Sequence, residues 1–248
     1  FSKYNEITLR NNLKNNSYLN IKISYMSISD LNLSTGDLLL FSYDNPNDWF
    51  FNKFTNMIKW GTHSNYSHVA MILKDPSFIS PNLKGTYVWE SSYEHDPDPQ
   101  DGKIKLGVQI APLAEILEDY KDKGKVFYRK LEGVEKTTFQ NEKLQEIHKV
   151  VYGKPYDLIP TDWIGALFKK DAEPQKTSRF WCSALVGYIY TKLNVLKSDT
   201  DWSILTPNDF SLSGENLAFE KSYQFLQGLI LIFSSRNIAH YFFELALK

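Results

Sequence analysis

Arg179-Phe180-Trp181-Cys182-Ser183-Ala184-Leu185-Val186 holds the only cysteine of this 248-residue chain. It opens a helical pattern from Phe180 to Leu193, with Trp181, Leu185, Tyr188 and Ile189 on a side suited to burial. Cys182 falls in the first turn. Unpaired N–H groups and the helix dipole there favour an anion, so the thiol is drawn toward thiolate. The N–H of Cys182 itself is placed to donate to an oxyanion. The spacing sets the sulfur toward the edge of the buried side, facing a cleft. Cysteine is also among the most buried residue types, so spacing alone leaves a structural role as open as a catalytic one.

Far upstream, Tyr66-Ser67-His68-Val69-Ala70-Met71-Ile72-Leu73 is a strand-like run that begins at a histidine. A thiol is a nucleophile only as thiolate, and a nearby imidazole is the usual way to make one. His68 opens its predicted strand, which lets the ring project at a sheet end. The next predicted strand, Thr86 to Ser91, carries Glu90 after Tyr87-Val88-Trp89. A carboxylate with apolar flanks needs a partner. Glu90 is suited to accept a hydrogen bond from the second ring nitrogen of His68 and so to orient the imidazole. Taken singly, His68 reads more readily as a solvated or hydrogen-bonded surface histidine and Glu90 as an exposed strand-end carboxylate.

Around these residues the pattern predicts an α+β fold. Strands are expected at Leu38–Phe41 after the turn Ser34-Thr35-Gly36-Asp37, at His68–Leu73, Thr86–Ser91, Gly107–Ile110 and Lys125–Leu131. Helices are expected over 47–60, ended by Gly61, and after Pro112, with Leu113, Ile116, Leu117 and Tyr120 on one face. A further amphipathic helix, Asn141–Tyr152, turns Leu144, Ile147, Val150 and Val151 inward and stops at Gly153 and Pro155. Tyr93–Lys103 reads as an exposed acidic loop and Lys169–Ser178 as a charged linker. Residues 1–30 form a polar N-terminal extension, 31–210 the domain proper and 211–248 a C-terminal helical appendage. In the appendage Tyr223, Leu226, Leu229, Ile230 and Phe233 recur at helical spacing, followed by Ile238, Tyr241, Phe242, Leu245 and Leu247.

Set in order, the blocks Gly36-Asp37-Leu38-Leu39, Tyr66-Ser67-His68-Val69-Ala70, Val88-Trp89-Glu90-Ser91, Lys154-Pro155-Tyr156-Asp157 and Trp181-Cys182-Ser183-Ala184-Leu185-Val186 resemble the permuted NlpC/P60 branch of the papain-like superfamily. That branch includes poxvirus and other large-virus members. The match ends near Leu205-Thr206-Pro207-Asn208-Asp209-Phe210 and leaves out residues 1–30 and 211–248. The resemblance implies a circularly permuted papain-like fold, an antiparallel sheet packed against helices. Histidine precedes cysteine, the reverse of papain's order. It assigns Cys182, His68 and Glu90 as a catalytic triad. Two positions depart from the family pattern: Ala70 stands where Gly is common, and Ala184 where Glu is common.

The chemistry so implied is attack of Cys182 on an amide, ester or thioester carbonyl, through a thioacyl intermediate. Water as acceptor makes a hydrolase; an amine or alcohol makes an acyltransferase. The substrate is a peptide or other acyl-bearing molecule, a lipid among the options. Candidate substrate-binding residues are Tyr66, Trp181 and Asp157. Tyr66 lines the cleft or is a half-buried structural tyrosine; Asp157 bonds backbone near the thiol or caps a turn. Two other classes compete: a catalytically silent binding or virion protein that keeps the fold, and a lipid-directed acyltransferase similar in logic to lecithin:retinol acyltransferase relatives.

Composition sets the outer bounds. A net charge of -1 at pH 7 provides no basic footprint for nucleic acid. A lone cysteine excludes an intramolecular disulfide framework and a thiolate-rich zinc site. It fits a reducing compartment or a virion. His63 lacks a recognisable metal-ligand spacing to Cys182 and Glu90, so neither metal nor organic cofactor is expected. Residues 1–20 are polar and carry no signal-peptide pattern, while Phe1 in place of Met implies a start inside a longer product. The longest apolar stretch, Phe225 to Phe233, is too short to span a bilayer. The apolar faces expected over 221–248 need cover, either by docking onto the domain or as a surface for a protein partner or membrane interface.

Overall fold

The computed structural model describes residues 5–10, 20–25, 28–43, 65–93, 96–121, 123–135, 137–157, 177–212, 214, 217–220, 223–226 and 229–234. Its strands are β1 Asn5–Arg10, β2 Asn20–Tyr25, β3 Leu38–Tyr43, β4 His68–Lys74, β5 Thr86–Tyr93, β6 Leu106–Pro112, β7 Gly124–Arg129, β8 Leu131–Glu132, β9 Gln224–Phe225 and β10 Leu229–Ser234. The α-helices are α1 Leu113–Asp119, α2 Asn141–Val151 and α3 Cys182–Lys192, with 3-10 turns at Ile28–Asp30, Trp202–Ile204 and Pro207–Phe210. The fold is mixed α+β. Eight strands form one sheet in the order β1-β2-β10-β7-β3-β4-β5-β6, and β8 pairs with β9. Neighbours are antiparallel except β10 with β2.

Why β3 and β4 read as unbroken apolar runs is now plain: both faces of the sheet are covered. Leu38, Leu40, Val69, Met71, Trp89 and Phe127 join Leu144, Ile147 and the apolar residues of α3 from Cys182 to Tyr190 in the larger core. The alternate residues Leu39, Phe41, Ala70, Ile72, Val88 and Val126 pack on Leu113 and Ile116 of α1. Helix α3 is buried all the way round, from Cys182 to Thr191. It lies against β4 and β5 on one side and the Trp202–Ile204 turn on the other. Gly187 permits that second contact, because a Cβ there would meet Leu205 Cδ1 at 2.6 Å.

The expected strands and the helices after Pro112 and from Asn141 are all present, with shifted ends. The run Lys125–Leu131 is split between β7 and β8. Val150 is exposed rather than inward, since only Leu144, Ile147 and Val151 of α2 reach the core. The helix expected from Phe180 starts at Cys182, because Phe180 is taken by a parallel bridge to Tyr156.

The larger correction concerns 223–233, expected to be helical. These residues hold β9 and β10 instead. Leu229-Ile230-Leu231-Ile232-Phe233 is a continuous apolar run, which suits a strand buried on both faces as well as a helix. Pairing with β7 on one side and β2 on the other decides it. Likewise the polar stretch before residue 30 supplies β1 and β2, so the sheet runs across the boundaries expected at 31 and 210. The helix expected over 47–60, His63, most of the 169–178 linker and the apolar cluster after Ser234 lie outside the described residues.

Candidate active site

Three elements converge where β4 begins. The β4–β5 ladder runs from Met71 opposite Trp89 to Lys74 opposite Thr86, so His68, Val69 and Ala70 lie ahead of it. On its other side β4 is paired with β3 from the outset, with Phe41 opposite His68. Ser67 fastens the approach, its N–H donating to the Phe41 carbonyl at 2.9 Å and its Oγ accepting from the Tyr43 N–H at 3.2 Å. The His68 ring rests against Phe41, centroids 5.1 Å apart.

His68 Nε2 lies 2.6 Å from Glu90 Oε2, and Glu90 is 1% exposed. A separation that short marks a charge-assisted hydrogen bond. With Nε2 engaged, Nδ1 remains for the hydrogen bond that links His68 to Cys182. The sulfur also accepts hydrogen bonds from the backbone N–H groups of Val69 and Ser183. Val69 is next to the histidine; Ser183 is in the first turn of α3, where N–H groups have no intrahelical partner. Burial pushes the Cys182 thiol up, but the adjoining His68 charge, its hydrogen bond and the two N–H donors outweigh this. The thiol is held below its ordinary range.

Helix α3 is docked by its flanks. Ser91 Oγ donates to the Phe180 carbonyl at 2.7 Å, fixing the residues just before Cys182 against β5. Trp181 Nε1 and Ser183 Oγ both donate to the Leu205 carbonyl, at 3.2 and 2.7 Å. Leu205 is followed by a reciprocal cap in which Asp209 accepts from the Thr206 N–H and hydroxyl. Both sides of the cysteine are therefore tied to buried carbonyls.

Of the six candidate residues, the structure brings Cys182, His68 and Glu90 into one row. Trp181 adjoins the thiol as the residue capping α3, but its indole N–H is spent on Leu205. Asp157 is buried and pairs with Arg179 at 3.3 Å, and its N–H donates to the Phe180 carbonyl. It braces the entry to α3. Tyr66 is half-buried and packs edge-on against Phe127 at the margin of the larger core, centroids 5.5 Å apart. Cys182 itself is 4% exposed, not open at the edge of an amphipathic helix, because α3 has no polar face.

Tyr156, between Pro155 and Asp157, makes a side-chain hydrogen bond to Cys182 that the sequence pattern does not signal. Its phenol is raised well above the usual range by burial first, then by the neighbouring charges of Cys182 and Asp157 and by that hydrogen bond. Two ladders deliver it. Phe180 donates to the Pro155 carbonyl and Asp157 to that of Phe180, while Val108 donates to Lys154 and Tyr156 to Leu106. Gly107 makes the second ladder feasible: its φ is 151°, and a Cβ would sit 2.3 Å from the Lys154 oxygen. A proline stop followed by Tyr-Asp was the available sequence signal, but nothing local indicates where that hydroxyl ends up.

Among the described residues, no group of three or more His, Cys, Asp and Glu side chains is arranged to hold a metal ion. No helix among them is long and apolar enough to cross a membrane. Comparison of the chain with protein-family models and with curated proteins finds no match.

Proposed function

We propose that this protein is a thiol-dependent hydrolase or acyltransferase acting on an amide, ester or thioester bond. The observation that carries the reading is the row Glu90–His68–Cys182, completed by two backbone N–H groups aimed at the sulfur. A thiolate formed in that place is stabilised before substrate arrives. Its sulfur attacks the carbonyl carbon, and the carbonyl π electrons move onto oxygen. His68 passes its Nδ1 proton to the leaving amine, alcohol or thiol as the carbonyl reforms, giving a thioester on Cys182. The neutral ring then takes a proton from the acceptor, which attacks the thioester and releases Cys182. Glu90 holds the ring orientation throughout and stabilises the imidazolium. Tyr156 O–H and the Cys182 N–H are the groups positioned to donate to the developing oxyanion.

The same reading places the chain among circularly permuted papain-like enzymes. It is supported by the order of parts: the histidine strand β4, the carboxylate strand β5 and then the thiol helix α3.

A catalytically silent protein is the second reading, favoured by the 4% exposure of Cys182. One experiment separates the two. A thiol-directed acyl probe is expected to label the wild type at Cys182 and to leave folded Cys182→Ala and His68→Ala unlabelled. Equal labelling of wild type and Cys182→Ala would overturn the catalytic assignment, and failure to label the wild type would favour the silent one.

A further inference from the structure

Gln109 on β6 stands directly opposite Glu90 on β5, on the sheet face that also carries His68. Directly opposed strand residues bring their Cβ atoms within about 5.5 Å. Gln109 is 1% exposed, as is Glu90. One end of its amide meets Ser92 Oγ at 3.1 Å; the other, Oε1, is buried without a hydrogen-bond partner. Leaving an amide oxygen unpaired in such a place costs about 1–3 kcal/mol.

Amide oxygen and nitrogen are assigned by their surroundings, and Ser92 serves either one, since a hydroxyl both donates and accepts. Exchanging the two lets Oε1 accept the Ser92 proton and puts the N–H groups where Oε1 stood, on a side chain whose directly opposed neighbour is Glu90. A carboxylate there gains a donor that favours its charged form. From this juxtaposition we infer that Gln109 is a positioning residue: its amide, pinned by Ser92, orients Glu90, extending the row to Gln109–Glu90–His68–Cys182. The inference rests on the proposed catalytic reading and adds a fourth member to it. Among the described residues, proton-carrying groups near this row include His68 from β4, bonded to Glu90, Ser92 against the Gln109 amide, and Cys182 and Tyr156 beyond the ring.

The test is the pH dependence of Cys182 alkylation by iodoacetamide in the wild type, Glu90→Gln, Gln109→Met and the double variant. Methionine matches glutamine in length and lacks the amide. Gln109→Met is expected to move the midpoint toward higher pH, in the direction Glu90→Gln moves it, and to add nothing once Glu90→Gln is present. A wild-type midpoint in folded Gln109→Met, or an additive shift in the double variant, would overturn the inference. Should Gln109→Met not fold, Ser92→Ala is read in its place: a smaller shift of the same sign supports the inference, and an unchanged midpoint overturns it. Failure of the catalytic reading looks different. The wild type itself would then alkylate as an ordinary thiol, with a midpoint that His68→Ala leaves in place.

Discussion

At the scale of single residues, the sulfur of Cys182 is governed by competition between burial and donors. Burial alone would hold the thiol neutral; the His68 charge and hydrogen bond, with the Val69 and Ser183 N–H groups, reverse the outcome. The sign for reactivity follows directly. A lowered folded pKa keeps thiolate populated below the ordinary thiol value of about 8.5 and loses it only as pH falls through the folded value. Alkylation of the wild type is therefore expected to reach half its maximum below pH of about 8.5, and His68→Ala to move that midpoint upward. Tyr156→Phe keeps the ring and removes the hydroxyl bonded to Cys182. We expect a higher alkylation midpoint and acyl-probe labelling slowed by about 10-fold or more, with an unchanged melting temperature. Unaltered labelling would show that the hydroxyl is a bystander.

At the scale of elements, the site depends on short connections more than on the helices themselves. Gly107 lets residues 154–156 lie against β6 and so carries Tyr156 to the thiol. Gly107→Ala adds a Cβ into the Lys154 oxygen at a positive φ. We expect it to destabilise the fold by about 1–3 kcal/mol and to reproduce the labelling defect of Tyr156→Phe. A defect in stability without one in labelling would separate the ladder from the site.

The loop joining β5 to β6 is clasped in a comparable way. Buried Asp98 binds Lys105 at 2.7 Å and the Gln100 side chain at 2.9 Å. Gln100 Oε1 in turn accepts from His148 of α2 at 2.5 Å. The His148 imidazole is lowered, mainly by burial; the Asp98 charge opposes the shift and Lys105 adds to it. Below an unfolded value of about 6.5 the unfolded chain binds the proton first, so stability falls as pH drops toward the folded value. The urea midpoint should decline over that window in the wild type, with a shallower slope in His148→Gln.

At the scale of the whole molecule, β10 lies between β2 and β7, so the end of the described chain joins the β1–β2 pair to the rest of the sheet. Leu231 is fully buried and Ile232 nearly so. Truncation before Leu229 would strip β7 of a neighbour and open both cores. Loss of soluble, cooperatively folding protein is expected, and an unchanged melting temperature would contradict the placement of β10. Arg129 joins the same region from beneath. Its guanidinium donates to the Phe210 and Ser211 carbonyls and lies 4.3 Å from the centre of the Phe225 ring. Burial lowers its pKa to about 10, which still leaves it charged at neutral pH. Arg129→Ala leaves those buried carbonyls without their donor and should cost about 3 kcal/mol, read as a fall in melting temperature of about 6–12 °C.

Much of the local structure was written in the chain. The apolar runs of β3, β4 and β5, the helix opening at Pro112 and the inward stripe Leu144, Ile147 and Val151 follow from periodicity, a local property that neighbouring residues determine by themselves. The candidate site was also legible in its principal groups, because a histidine opening a strand, a carboxylate among apolar residues and a cysteine opening a helix each break the surrounding pattern. What tertiary structure alone decided lies in contacts between distant segments. Leu229–Ser234 became a strand because β2 and β7 each offered it an unpaired edge, a condition invisible in a run of apolar residues that suits helix and strand alike. Cys182 became buried because segments on both sides covered α3. Tyr156 and Gln109 entered the site because hydrogen-bond ladders closed over separations that no local pattern encodes, and it is those ladders that set which polar atoms share one enclosed space.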